Sequence, residues 1–146
     1  METVIIKCQD LMVGDWIVNQ NNSPMQIVAV DEDNAYACKG NEEGPWIFGD
    51  DEGYKPQPIK ITTDILIKNN WKEKECTVYP SLHFYEKNKG KKHLIWNYGI
   101  LSLRINSGKI DYRMYPHIEI SIKYVHELQH VLRLIGLNEM ANNFKV

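Results

Sequence analysis

The feature that most constrains this chain lies close to its C-terminus. Ile122, Val125, Leu128, Leu132 and Ile135 recur at spacings of three or four, which at about 100° per residue gathers them into one apolar stripe. Lys123, His126, Glu127, His130 and Arg133 fall on or beside the opposite face. Such a segment is an amphipathic helix, and it needs a partner surface to cover its stripe. The pattern predicts a helix over 121–135, with Ser121 as N-cap and Gly136 as the residue that stops it.

Upstream, the first half offers short apolar runs at Val13–Val18, Met25–Val30, Tyr36–Cys38 and Trp46–Phe48, punctuated by Gly, Asn and Asp. Short strands with such turns predict a small, strongly bent sheet or barrel of the SH3-like kind. Pro56 and Pro58 mark an extended passage, after which Ile59–Ile61 closes the barrel. Thr63 and Asp64 offer an N-cap for a short helix through Ile67, ending near Asn69 and Asn70. A second β region follows, with strands at Cys76–Tyr79, Leu82–Glu86 and His93–Trp96. Ile100–Ile105 and Ile110–Tyr115 then flank the hairpin turn Asn106–Lys109. The expected fold is α+β, an N-terminal SH3-like small β-barrel followed by an antiparallel sheet packed with the C-terminal helix. The expected modules are 1–61 and 62–146, the second including the helix 121–135.

Composition sets outer limits. A chain of 146 residues with 43% hydrophobic side chains can build a core, and a net charge of −2 excludes a uniformly basic polyanion binder. That total hides an asymmetry: residues 1–60 balance at −7 and the remainder at +5. No apolar run reaches the roughly 18 residues of a membrane span, and Met1–Asp10 lacks the apolar core of a signal peptide. Cys8, Cys38 and Cys76 are odd in number and far apart, so free thiols in a reducing compartment are expected. Together these readings predict a soluble cytoplasmic protein with no membrane partner.

One motif is sharp. His126-Glu127-Leu128-Gln129-His130 spells H-E-x-x-H, in which two imidazoles one turn apart can share zinc while the Glu serves as general base. His126 and His130 are thus candidate metal ligands, and Glu127 a candidate catalytic residue. Against this, the extended pattern would place Gly and His where Arg133 and Gly136 stand, and Glu139 is the sole carboxylate after His130. A third ligand would have to come from upstream, from His83, His93, Asp111 or His117. Lys123 and Arg133 add fixed cations on the same surface, which disfavours a dication. A solvated helix face explains the letters better, so no cofactor is expected, zinc being the alternative.

Three segments carry a resemblance: Asp10-Leu11-Met12-Val13-Gly14-Asp15-Trp16; Pro58-Ile59-Lys60-Ile61-Thr62 followed by Asp64-Ile65-Leu66; and Tyr124–His130 within Ile122–Gly136. In order and over most of the chain, they resemble an uncharacterised family of short proteins from gut Bacteroides-type bacteria and their prophages. That family has no established activity. Its helix pattern also accepts Gln and Asn where Glu127 and His130 stand, which speaks against catalysis by these two.

A basic hairpin tip, Lys87, Lys89, Lys91 and Lys92 with His93, is bordered by Phe84, Tyr85, Trp96 and Tyr98. Lysines there could meet phosphates while aromatics stack on bases, although solvated turns and cross-strand packing also produce this pattern. The acidic stretches Asp31–Asn34 and Asp50–Gly53 lack EF-hand spacing and read as solvated loops. What the resemblance implies is a non-enzymatic binding or interaction protein of a mobile element or phage-related locus. Its partner is expected to be a macromolecule, protein rather than nucleic acid. A zinc-dependent hydrolase and a nucleic-acid-binding accessory protein are the alternatives.

Overall fold

A computed structural model describes residues 6–38, 46–49, 55–75, 77–79, 83–105 and 117–146. By contact the chain divides into a unit of residues 1–60 with 124–144 and 146, and a unit of residues 61–123 with 145.

In the first unit, β1 (Trp16–Val18), β2 (Pro24–Val30), β3 (Asn34–Cys38) and β4 (Trp46–Gly49) form a curled antiparallel half-barrel in sequential order. Period-two alternation puts Ile17, Met25, Ile27, Ala35, Ala37 and Phe48 on its buried face. The register of β2 against β3 shifts between Ile27 and Ala29, a bulge that bends the strand. Without that extra residue Ala29 would point inward; with it, Val30 packs on the core and Ala29 is exposed. Ile6, Cys8 and Leu11 complete the same cluster from the N-terminal side. After Pro56, Gln57 and Val18 exchange backbone hydrogen bonds of 3.0 Å in both directions, extending the pairing beyond β1.

Helix α2 (Val125–Leu134) belongs to this unit, whereas the sequence joined it to the second sheet. Local pairing explains the placement, because Lys60 bridges Tyr124 and the Val125 N–H donates to Ile59 O at 2.8 Å. The helix starts at Tyr124, not Ser121: the Tyr124 N–H donates to Glu127 Oε1 at 3.0 Å, satisfying a donor ahead of the first turn. Val125, Leu128 and Leu132 of the expected stripe are buried. Gly136, at φ +83°, stops the helix as expected. Its N–H reaches Arg133 O at 3.1 Å and the Leu137 N–H reaches Leu132 O at 2.7 Å, the two bonds of a Schellman motif. A last helix, α3 (Asn138–Asn142), buries Ala141, with Phe144 buried just beyond it.

The second unit opens with α1 (Thr63–Lys68), whose N-cap Thr62 accepts the Ile65 N–H at 3.2 Å. An antiparallel meander follows: β5 (Lys72–Glu75), β6 (His83–Lys89), β7 (Lys92–Asn97), β8 (Ile100–Ile105) and β9 (His117–Ser121). Strand β5 precedes the segment expected from sequence. All four of its residues are exposed, and its Lys-Glu alternation carries no apolar signal. It is an edge strand guarded by charge, which discourages further pairing. The partner of β8 is β9, with Ile100 opposite Ser121 and Arg104 opposite His117. The expected strand Ile110–Tyr115 and its turn lie outside the described residues, as do Cys76 and the loop 50–54. The fold is α+β, and no helix among the described residues is long and apolar enough to cross a membrane.

Candidate functional site

In the first unit the H-E-x-x-H helix meets the segment Met12–Trp16. Asp15 is the centre, with a side chain of 0% exposure. Its Oδ2 accepts the Met12 N–H at 2.8 Å and lies 2.5 Å from His130 Nε2, while Oδ1 accepts from Arg133 Nη1 at 2.6 Å. One helical position away, Gln129 is also fully buried. Its Oε1 accepts the Trp16 N–H at 2.9 Å, and its Nε2 donates to Gly14 O at 2.8 Å and Ala141 O at 3.0 Å. Every polar atom of that amide is engaged, as burial demands. Gly14 sits at φ +96°, and a Cβ there would meet Arg133 Nη2 at 2.8 Å, so glycine permits both the turn and the close guanidinium. The result is a latch between α2 and the loop before β1.

A carboxylate accepts only, so Asp15 makes Nε2 the protonated nitrogen of His130 and removes it as a metal donor. Arg133 holds a cation on the same carboxylate. Glu127, the candidate general base, accepts the N-cap N–H instead. His126 is 9% exposed, stacked on Tyr124 and edge-on to His130, with ring centroids 6.1 and 5.7 Å apart. Its Nδ1 is buried without a hydrogen-bond partner among the described residues. Burial chiefly, with His130 adding and Asp15 opposing, holds its pKa below the ordinary value. Among the described residues no group of three His, Cys, Asp or Glu is placed to hold a metal ion. Among the described residues the donors do not fit a zinc centre; Asp111, one of the upstream candidates, lies outside them.

Beside the latch lies an open cavity of about 420 Å³, lined by Met12, His130, Val131, Arg133 and Leu134. Met12, at 44% exposure, and Leu134, at 83%, leave apolar surface in solvent there.

In the second unit, strand alternation sets Tyr85, Lys87 and Lys89 on one face, opposite Trp96, Leu94 and Lys92. Lys91 follows Gly90 in the exposed two-residue turn, where Gly90 adopts φ +58°. The four candidate lysines are therefore gathered, but not equally available. Lys87 donates to Asn69 O at 3.1 Å, just past the last turn of α1, and burial first, then Lys89 and Lys72, lowers its pKa. Phe84 alternates to the other face. Lys72, Lys74 and Lys87, with Asn70, Glu86 and Asn88, line a polar cavity of about 320 Å³. Sequence reasoning missed Lys72 and Lys74 because their strand was not foreseen. It missed Asp15 and Gln129 because their partners lie more than a hundred residues away, and only their place in the resembling segments marked them. Comparison with family models, with curated proteins and with solved structures returned no match.

Proposed function

We propose that the chain is a non-enzymatic binding protein of a mobile element or phage-related locus, engaging a protein partner through the apolar surface beside the latch. The observation that carries this reading is the cavity of about 420 Å³ between Met12, Val131 and Leu134. Apolar side chains left in solvent beside a cavity mark interaction sites, and the Asp15–Gln129–Arg133 network holds this one in a fixed shape. Arg133 and His130, which also line it, are engaged by Asp15, leaving Met12, Val131 and Leu134 to face an apolar protein side chain rather than a nucleic-acid backbone. The free thiol of Cys38 suits a reducing cytoplasm.

The test compares wild type with Leu134→Asp, expressed in the native host and cross-linked. A protein captured by wild type and lost from Leu134→Asp, with unchanged melting temperature, supports the reading. Equal capture by both, or capture by neither, sinks it.

A second reading has its own observation. The cavity lined by Lys72, Lys74 and Lys87, close to the lysine hairpin, favours an anionic partner such as nucleic acid. Titration with labelled oligonucleotides should show affinity that falls with salt and falls further in a Lys72→Ala/Lys74→Ala/Lys89→Ala variant. Salt-independent binding, or none, would end this alternative.

A further inference from the structure

We propose that the slot between Tyr85, Trp96 and Tyr98 binds a methylated ammonium group by cation–π contact. The slot encloses about 220 Å³ within the second unit, with His83 and Thr63 at its sides. Tyr85 and Trp96 are direct cross-strand partners, their ring centroids 6.4 Å apart and their planes inclined at 53°. The indole is anchored, since Trp96 Nε1 donates to Ile122 O at 3.4 Å. Two walls are thus built by strand register alone.

The third wall is built against local preference. Asn97 pairs with Ile100, leaving Tyr98 and Gly99 as a two-residue loop with φ +46° and +88°. Positive φ at both positions is the geometry that favours Asn-Gly, and an aromatic residue at the first is strained. Tyr98 nevertheless stands there, 73% exposed and lining the slot. A strained residue whose side chain completes a cavity points to use of that cavity.

Charge selects the ligand class. The side-chain oxygen Glu73 Oε1 lies 2.7 Å from His83 Nδ1 at the slot. Burial first and then the negative charge of Glu73 hold the Tyr85 phenol above its ordinary pKa, with a Thr63 hydrogen bond opposing them. Among the described residues no Lys or Arg lines the slot. Aromatic faces with the Glu73 carboxylate beside His83 at the slot disfavour a phosphate and attract a cation that sheds its water easily, as a methylated ammonium does.

Calorimetric titration of the full chain with choline and with trimethyllysine, against the neutral isostere 3,3-dimethylbutan-1-ol, tests the proposal. Both ammonium ligands share the recognised chemistry, and the tighter of the two distinguishes a small-molecule source from a modified peptide. The expected result is binding about tenfold tighter than the isostere. Tyr98→Asn installs the favoured turn residue, so the melting temperature should hold or rise while ammonium affinity falls about tenfold. Trp96→Leu should lose the same binding. Equal affinity for the neutral isostere, undiminished binding by Tyr98→Asn, or no saturable binding of either ammonium would overturn the assignment.

Discussion

Two carboxylates in this molecule each hold a histidine and a longer cation, one in each unit. Asp15 takes His130 at 2.5 Å and Arg133 at 2.6 Å; Glu86 takes His93 at 3.0 Å and Lys74 at 3.7 Å. Their surroundings differ. The Asp15 side chain is sealed at 0% exposure and Arg133 is 11% exposed, whereas Glu86 keeps 18% and Lys74 48%. The chain reach differs too, with 115 residues between Asp15 and His130 but 7 between Glu86 and His93. The Asp15 carboxylate itself is closed to water while Glu86 and Lys74 are open to it, although His130, at 29%, is more exposed than His93, at 17%. The same three kinds of side chain therefore make a structural latch in one unit and a solvent-screened surface cluster in the other.

Breaking the latch should have the largest effect. Asp15→Asn removes the negative charge between Arg133 and His130, and urea unfolding should show a loss of about 3–5 kcal/mol. A loss no greater than that of a surface pair would mean that water reaches the site and the contrast with Glu86 is void. Gln129→Leu keeps the volume but strands the Trp16 N–H and weakens satisfaction of Gly14 O and Ala141 O, for an expected loss of about 2–3 kcal/mol. If the variant is as stable as wild type, those backbone groups have other partners. Glu86→Gln should cost less than about 1 kcal/mol, and raised salt should shrink even that. A multi-kilocalorie loss there would make the two clusters equivalent.

The smallest effect is a pH slope. His126 titrates in the folded chain below its ordinary value of 6.5, with burial the main cause. The unfolded chain therefore takes up a proton first as pH falls. His126 supports full stability above about pH 6.5, and that support declines through the window below it. Asp15, His130, Glu127 and Asp10 act on the ring, the three carboxylates opposing this decline. Thermal melts of His126→Phe between pH 7 and pH 5 should show a flatter dependence; an unchanged slope removes His126 from the account.

Some of the architecture was legible beforehand and some was not. Val125, Leu128 and Leu132 of the expected stripe are buried in α2 and Gly136 stops it, as periodicity and backbone freedom require, whereas Ile122 lies before the helix and Ile135 is its half-buried C-cap. Helix α2 starts at Tyr124 rather than Ser121, which pairs with Ile100 in β9; tyrosine is no capping residue, so only the fold marks this start. Strand β5 was illegible for a physical reason: an exposed edge needs no apolar residues, so Lys72–Glu75 shows no hydrophobic alternation. Lys87 reads as one of four equal lysines until the fold puts Asn69 O within reach.

By itself the sequence determined which faces must be buried, where the chain can turn, and hence the α+β class. Those are local matters of period and dihedral freedom. What the polar letters of His126–Arg133 do was decided only by tertiary structure. An Asp, a Gln or a His has the same spacing whether it binds zinc, meets water or satisfies a buried backbone amide. The outcome depends on which donors and acceptors are sealed from water beside it, and here they come from Met12–Trp16, at the other end of the chain.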